Sequence, residues 1–64
     1  MNICLIELGL YRARYGRPRM FNNRPVYKVE VIQLNGHDIV FQTDYPVETI
    51  TIDQDEFYRK FEKW

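Results

Sequence analysis

The stretch that decides the fold is residues 26–44, VYKVEVIQLNGHDIVFQTD. Asn35-Gly36 is the favoured pair for a two-residue hairpin turn of type I′, in which both central positions take positive φ. The flanks are rich in Val, Ile, Phe and Tyr, residues that fit a pleated, half-buried surface. A turn of that type pairs Leu34 with His37, Gln33 with Asp38, Ile32 with Ile39, Val31 with Val40 and Glu30 with Phe41. One face then carries Leu34, Ile32, Ile39 and Phe41, and the other Tyr27, Val29, Val31 and Val40. Both faces are partly apolar, so the hairpin is expected to be covered on one side and partly covered on the other.

Working outward toward the C-terminus, Tyr45-Pro46 reads as a turn. Residues 47–52 alternate and are largely β-branched, with Ile50 and Ile52 on one face and Val47, Thr49 and Thr51 on the other, which predicts a further strand. Asp53 changes the pattern. With Glu56 three residues on, it has the spacing of a capping box. Asp55 and Glu56 in the first turn and Arg59, Lys60 and Lys63 later complement the helix dipole. Asp55–Arg59 and Glu56–Lys60 are i,i+4 pairs in the favourable order. Phe57, Phe61 and Trp64 recur at helical spacing. A helix over 54–63 is expected, with its aromatic stripe in the core rather than serving as a binding groove. The same acids lack the spaced glycine and downstream glutamate of a calcium loop.

Toward the N-terminus, MNICLIELGL reads as a strand. It has neither the basic flank nor the small-residue site of a signal peptide, and no run approaches the ~20 apolar residues of a membrane span. Residues 11–23 contain Gly16, Pro18, Asn22 and Asn23, and read as an exposed irregular connection. Within it YRARY is able to continue the first strand, tyrosines inward and arginines outward. Arg17 and Arg24 precede prolines and are expected to be extended.

The bulk numbers fit one small globular domain. Of 64 residues 45% are hydrophobic and 16% aromatic, well above a disordered composition. A chain this short buries only about 60% of the surface that its unfolded form exposes, so self-association, as a homodimer, is a natural source of extra stability. The single cysteine, Cys4, excludes an intramolecular disulfide, reads as a small buried hydrophobe and suits a reducing cytoplasm.

The formal charge of zero conceals two opposed halves. Through Lys28 the chain carries Arg12, Arg14, Arg17, Arg19, Arg24 and Lys28 against Glu7, a balance of +5. From Val29 it carries eight acids against Arg59, Lys60 and Lys63, a balance of −5. Arg12, Arg14, Arg17, Arg19 and Arg24 are interleaved with Tyr11, Tyr15 and Phe21. Guanidinium groups bind carboxylate and phosphate bidentately, and Arg and aromatic residues are enriched in protein–protein hot spots. The candidate binding residues are therefore Arg12, Arg14, Tyr15, Arg17, Arg19, Phe21 and Arg24. Three uses compete: a protein partner, a nucleic acid or nucleotide stacked on the aromatic faces, or simple neutralisation of the acidic half. The domain as a whole is not basic, which weighs against nucleic acid.

Catalytic chemistry finds little to work with. His37 falls at the hairpin tip, an exposed place, and is the only histidine, which excludes a histidine-cluster metal site. No Gly-rich phosphate loop, nucleophile elbow or paired-carboxylate cleft is present. No catalytic residue, cofactor or metal is expected.

The string of strand, loop, Asn-Gly hairpin, strand and short D-x-x-E-F-x-x-x-F helix resembles small SH3-like barrel proteins of bacteriophage genomes. Val29–Phe41, Ile50–Ile52 and Asp53, Glu56, Phe57 and Phe61 carry the resemblance, just over half the chain. It implies an α+β fold, either a small antiparallel sheet or a partly open SH3-like barrel, with one C-terminal helix. It also implies a non-enzymatic accessory protein of the cytoplasm that binds and modulates a host protein, in the manner of an anti-defence inhibitor.

Overall fold

In the computed structural model, residues 6–44 and 47–64 are described. The first strand, β1 (Gly9–Ala13), leads through a 3₁₀ turn at Arg14–Gly16 into a small hairpin, β2 (Arg19–Phe21) and β3 (Arg24–Val26). The long hairpin β4 (Lys28–Asn35) and β5 (Asp38–Thr43) follows, then β6 (Thr49–Asp53), α1 (Gln54–Lys60) and β7 (Phe61–Lys63). Five strands form one antiparallel sheet in the order β6-β5-β4-β1-β7, and β2-β3 form a separate ribbon. The sheet does not close into a barrel. The architecture is the expected α+β one, a partly open antiparallel sheet with a single C-terminal helix.

The long hairpin forms where expected, but its turn sits one position later, so the pairing beside the turn is shifted by two residues. Asn35 pairs with Asp38, Leu34 with Ile39 and Gln33 with Val40. The central turn residues are thus Gly36 and His37. Gly36 has φ 64°, and His37 is not among the residues with positive φ. Positive φ at the first central position alone is the signature of a type II′ turn, not type I′. A bulge between Val31 and Gln33 then resets the ladder so that Val31 pairs with Phe41. A one-residue slip moves side chains to the opposite face. Val29 and Val31 accordingly join Ile39 and Phe41 in the core, while Ile32 is exposed.

The expected irregular connection over 11–23 is instead mostly structured. Tyr11 and Ala13 are buried in β1 with Arg12 outward, as the continued strand requires. Asn22 and Asn23 both take positive φ, 52° and 63°. They form the two-residue turn of the β2–β3 hairpin, with Phe21 opposite Arg24. Asparagine tolerates the left-handed region better than most residues, so what reads as a pair of breakers is a type I′ turn. Of the expected N-terminal strand, residues 1–5 lie outside the described residues; Ile6 is buried without joining a strand, and β1 begins only at Gly9. The Tyr45-Pro46 turn also lies outside the described residues. Strand β6 starts at Thr49 rather than Val47, with Ile50 and Ile52 packed against the core.

The helix is capped as the sequence implies: the Asp53 carboxylate accepts the Asp55 N–H at 2.9 Å. Of the two expected i,i+4 pairs, Glu56 and Lys60 stand 4.0 Å apart, whereas Asp55 and Arg59 form no ion pair among the described residues. The helix ends three residues early. Phe61 is extended, φ −129° and ψ 156°, and opens β7, where it pairs with Ala13. Strand pairing with β1 thereby satisfies main-chain groups that would otherwise fray at the end of a seven-residue helix. Phe57 and Phe61 stay together, ring centroids 4.9 Å apart. Trp64 does not join them. It is 63% exposed, its main-chain N–H donates to the Leu10 carbonyl, and Lys28 Nζ lies 5.5 Å from its ring centroid.

The core is an aromatic cluster. Phe41 from β5, Phe57 from α1 and Phe61 from β7 are almost fully buried. Phe41 lies 5.3 Å from Phe57 and 5.6 Å from Phe61. Tyr11 meets Phe57 edge-on at 5.2 Å. Phe21 tethers the β2–β3 ribbon to the same cluster, 5.6 Å from Phe41 and 6.1 Å from Phe61. Pairs at such distances contribute about 0.5–1.5 kcal/mol each beyond area burial.

Candidate functional site

The fold divides the seven candidate binding residues into three groups. The first is committed to ion pairs. Arg12, outward on β1, donates through Nε to Glu62 Oε2 at 3.1 Å, because β1 and β7 place these two residues opposite each other. Arg14 Nη1 lies 3.7 Å from the other oxygen of Glu62. Its Nε donates to the Tyr58 carbonyl at 2.7 Å, and its guanidinium sits 4.8 Å from the centroid of the Tyr58 ring. Arg24 Nη1 lies 3.7 Å from Glu48 Oε1, and the Asn22 amide donates to Glu48 Oε2 at 2.9 Å. Such pairs fix the β1–β7 edge and the ribbon tip, at about 0.2–1 kcal/mol each when exposed.

The second group is Phe21 alone, whose ring packs in the aromatic cluster. The third group is Tyr15, Arg17 and Arg19. Tyr15 stands at φ 62° and ψ 18° inside the 3₁₀ turn, with its side chain pointing to solvent and the residue 79% exposed. For a residue other than glycine this left-handed conformation costs about 1–2 kcal/mol. Gly16 follows at φ 65°, and the Arg17 N–H closes the turn onto the Arg14 carbonyl at 3.3 Å.

Arg17 then extends, φ −108° and ψ 130°, as its position before Pro18 requires. Its side chain is in no ion pair among the described residues. Arg19 is half-buried on the face of β2 that also carries Phe21. Its Nε is buried without a hydrogen-bond partner among the described residues. A buried donor left unpaired is costly and calls for a physical account. Arg17 and Arg19 lie two apart along an extended segment, so period-2 alternation places them on one side.

Two residues that the sequence reading did not single out complete this end of the molecule. Met20 points away from the core on β2 and is 62% exposed. Tyr58 is the platform for Arg14; it sits one position off the Phe57/Phe61 stripe, which was the signal that it faces outward. His37 lies at the exposed turn, with Gln54 Nε2 3.2 Å from its Nδ1. The larger of two neighbouring hollows is an open trough of about 220 Å³ beside Leu10, Lys28, Glu30, Gln42 and Val47. Among the described residues no three His, Cys, Asp or Glu side chains are grouped to hold a metal ion, and no helix is long and apolar enough to cross a membrane.

Tyr15, Arg17 and Arg19 offer an exposed ring, one guanidinium without an ion pair among the described residues and one half-buried guanidinium with an unused donor, while the Met20 thioether is displayed on the opposite face of β2. Guanidinium groups of this kind can donate to carboxylates and main-chain carbonyls. Comparison with known proteins finds no matching family model, no similar curated protein and no similar solved structure.

Proposed function

We propose that this chain is a non-enzymatic binding module whose partner is a protein, met by Tyr15, Arg17 and Arg19. The observation that carries the proposal is the pairing of a costly backbone at Tyr15 with maximal display of its ring. Strain of this kind persists where the surroundings enforce it, and it clusters at binding sites. An exposed aromatic ring beside unpaired arginines has the composition of an interface hot spot. The size of the hollows supports a binding role over catalysis: about 220 Å³ against the ~300–1,000 Å³ of typical small-molecule sites.

Commitment of Arg12, Arg14 and Arg24 to Glu62 and Glu48 supports a protein over a nucleic acid. Arg17 and Arg19, the two arginines of the basic half without an ion pair among the described residues, make a weak field for a polyanion on a chain of zero net charge. In the narrower form that the resemblance implies, the partner is a bacterial host protein whose activity the chain modulates, in the manner of an anti-defence inhibitor.

The test is capture of the partner from bacterial lysate, with and without nuclease, by the parent and two variants. Arg17→Ala/Arg19→Met is expected to lose the partner. Arg12→Ala/Arg24→Ala is expected to keep it, and nuclease is expected to change nothing. Loss of capture on nuclease treatment would assign the surface to nucleic acid instead. Equal capture by both variants would remove Arg17 and Arg19 from the interface.

A further inference from the structure

The five-stranded sheet has two edges, and they differ. Strand β7 is three residues long. Strand β6 is five, Thr49-Ile50-Thr51-Ile52-Asp53. Exposed edges usually carry a device against strand addition, such as a lysine, a proline or a bulge. Within Thr49–Asp53 there is none. Its first four residues are β-branched, and its register with β5 runs unbroken from Thr49 opposite Gln42 to Asp53 opposite Asp38.

The direction of its free main-chain groups follows from the bonds at its two ends. The Thr43 N–H donates to the Glu48 carbonyl at 2.9 Å, and the Gln54 N–H donates to the His37 carbonyl at 2.7 Å. Successive strand residues present their N–H and C=O to alternate sides. Residues 48, 50 and 52 and the Gln54 N–H therefore face β5, while Thr49, Thr51 and the Asp53 N–H point out of the sheet; the Asp53 carbonyl, at the N-cap, serves the first turn of α1. Among the described residues no strand pairs with them there.

We infer that a second copy of the chain occupies this edge, β6 against β6, antiparallel about a two-fold axis at Thr51. The strand is complementary to itself in that register. Thr51 opposes Thr51, Thr49 opposes Asp53, and Ile50 opposes Ile52 on the face that packs against each core. Only an axis at Thr51 gives all three outward residues a partner; an axis at Ile50 or Ile52 leaves one of them unpaired. Electrostatics agree with the same register. Each Asp53 carboxylate faces a threonine hydroxyl of the other copy, and the two carboxylates fall four residues apart, ~13 Å, beyond the screening length of about 8 Å at physiological salt. Threonine pairs and apolar β-branched pairs are favourable cross-strand neighbours. A two-fold interface of this kind uses one patch twice, and it supplies the extra burial that a 64-residue chain lacks. The inference is independent of the arginine surface.

Sedimentation equilibrium over a concentration series, from micromolar to millimolar, tests it. The parent is expected to rise from the monomer mass of 7.8 kDa toward twice that value. Thr51→Pro deletes an outward N–H and no bond to β5, the edge position at which a sheet accepts proline. It is expected to stay monomeric with a melting curve like that of the parent monomer. Thr51→Lys sets two like charges on the axis and is expected to stay monomeric at low salt. Thr51→Val keeps the main-chain edge and is expected to dimerise. A parent that remains monomeric at millimolar concentration overturns the inference and leaves a strand of another protein as the remaining occupant. Dimerisation of Thr51→Lys equal to the parent overturns it too, whatever Thr51→Pro does to folding.

Discussion

At the residue scale the informative positions are those where side chain and backbone disagree. Gly36 at φ 64° is in agreement, since glycine reaches that region freely. Asn22 and Asn23 are close to agreement. Tyr15 is not, because an aromatic residue gains nothing locally from φ 62°. Nor does its ring recover the cost through packing, being 79% exposed. Tyr15→Asn keeps the turn and gives the left-handed backbone to a residue that tolerates it. Stability to urea is expected to rise, by up to about 1 kcal/mol, and affinity for the protein partner is expected to fall. This is the usual exchange at a site where stability is spent on function. Loss of stability in Tyr15→Asn would show that the ring makes contacts the fold needs, and would take the strain argument away from the proposed interface.

Elements were legible in proportion to how local their causes are. The long hairpin, β6 and the start of α1 rest on alternation, a turn pair and a capping aspartate, all visible within a few residues. The end of α1 does not. Phe57, Phe61 and Trp64 keep helical spacing, yet Phe61 leaves the helix because β1, some 50 positions earlier, offers a ladder to it. The β2–β3 ribbon was missed for a different reason: Asn22-Asn23 between two three-residue strands gives no alternation to detect. The register of β4 failed because Asn35-Gly36 serves two turn types that sit one position apart and differ by two residues in pairing, and the bulge at Ile32 then turns Val29 and Val31 to the buried face. For the site, the arginine–aromatic segment was legible as a composition, but its division into paired and unpaired members depends on Glu62 and Glu48, which the fold brings from the other half. The aromatic stripe itself separates by burial. Phe61→Ala is expected to cost about 3–5 kcal/mol, much of the reserve of a domain of this size. Trp64→Ala is expected to cost under about 1 kcal/mol. Far-UV circular dichroism melts compare them directly. Equal melting of the two variants would contradict the docking of β7 and α1 on the sheet.

Across the whole molecule, the opposed charges of the two halves are interlocked rather than displayed as two patches. Arg12 and Arg14 meet Glu62, Arg24 meets Glu48, and Lys63 meets Glu7. Each contact ties a residue of the basic half to one of the acidic half, so neutralisation accounts for three of the five arginines of the basic half. It does not account for Arg17, or for Arg19 with its buried, unpaired Nε. The two sets therefore respond differently to removal and to salt. Arg12→Ala/Arg24→Ala is expected to lower stability by about 1 kcal/mol at low ionic strength, because two partly exposed pairs are lost, and most of that loss disappears in high salt as screening weakens the parent's pairs. Arg17→Ala/Arg19→Met removes no ion pair, and methionine keeps the apolar stem while deleting the unsatisfied donor, whose burial costs about 1–3 kcal/mol. Its stability is expected to equal or exceed that of the parent at either salt concentration. Urea unfolding of both variants at low and high salt decides the point. If the second variant is the less stable one, Arg19 serves the fold, and Tyr15 and Arg17 are left to carry the interface without it.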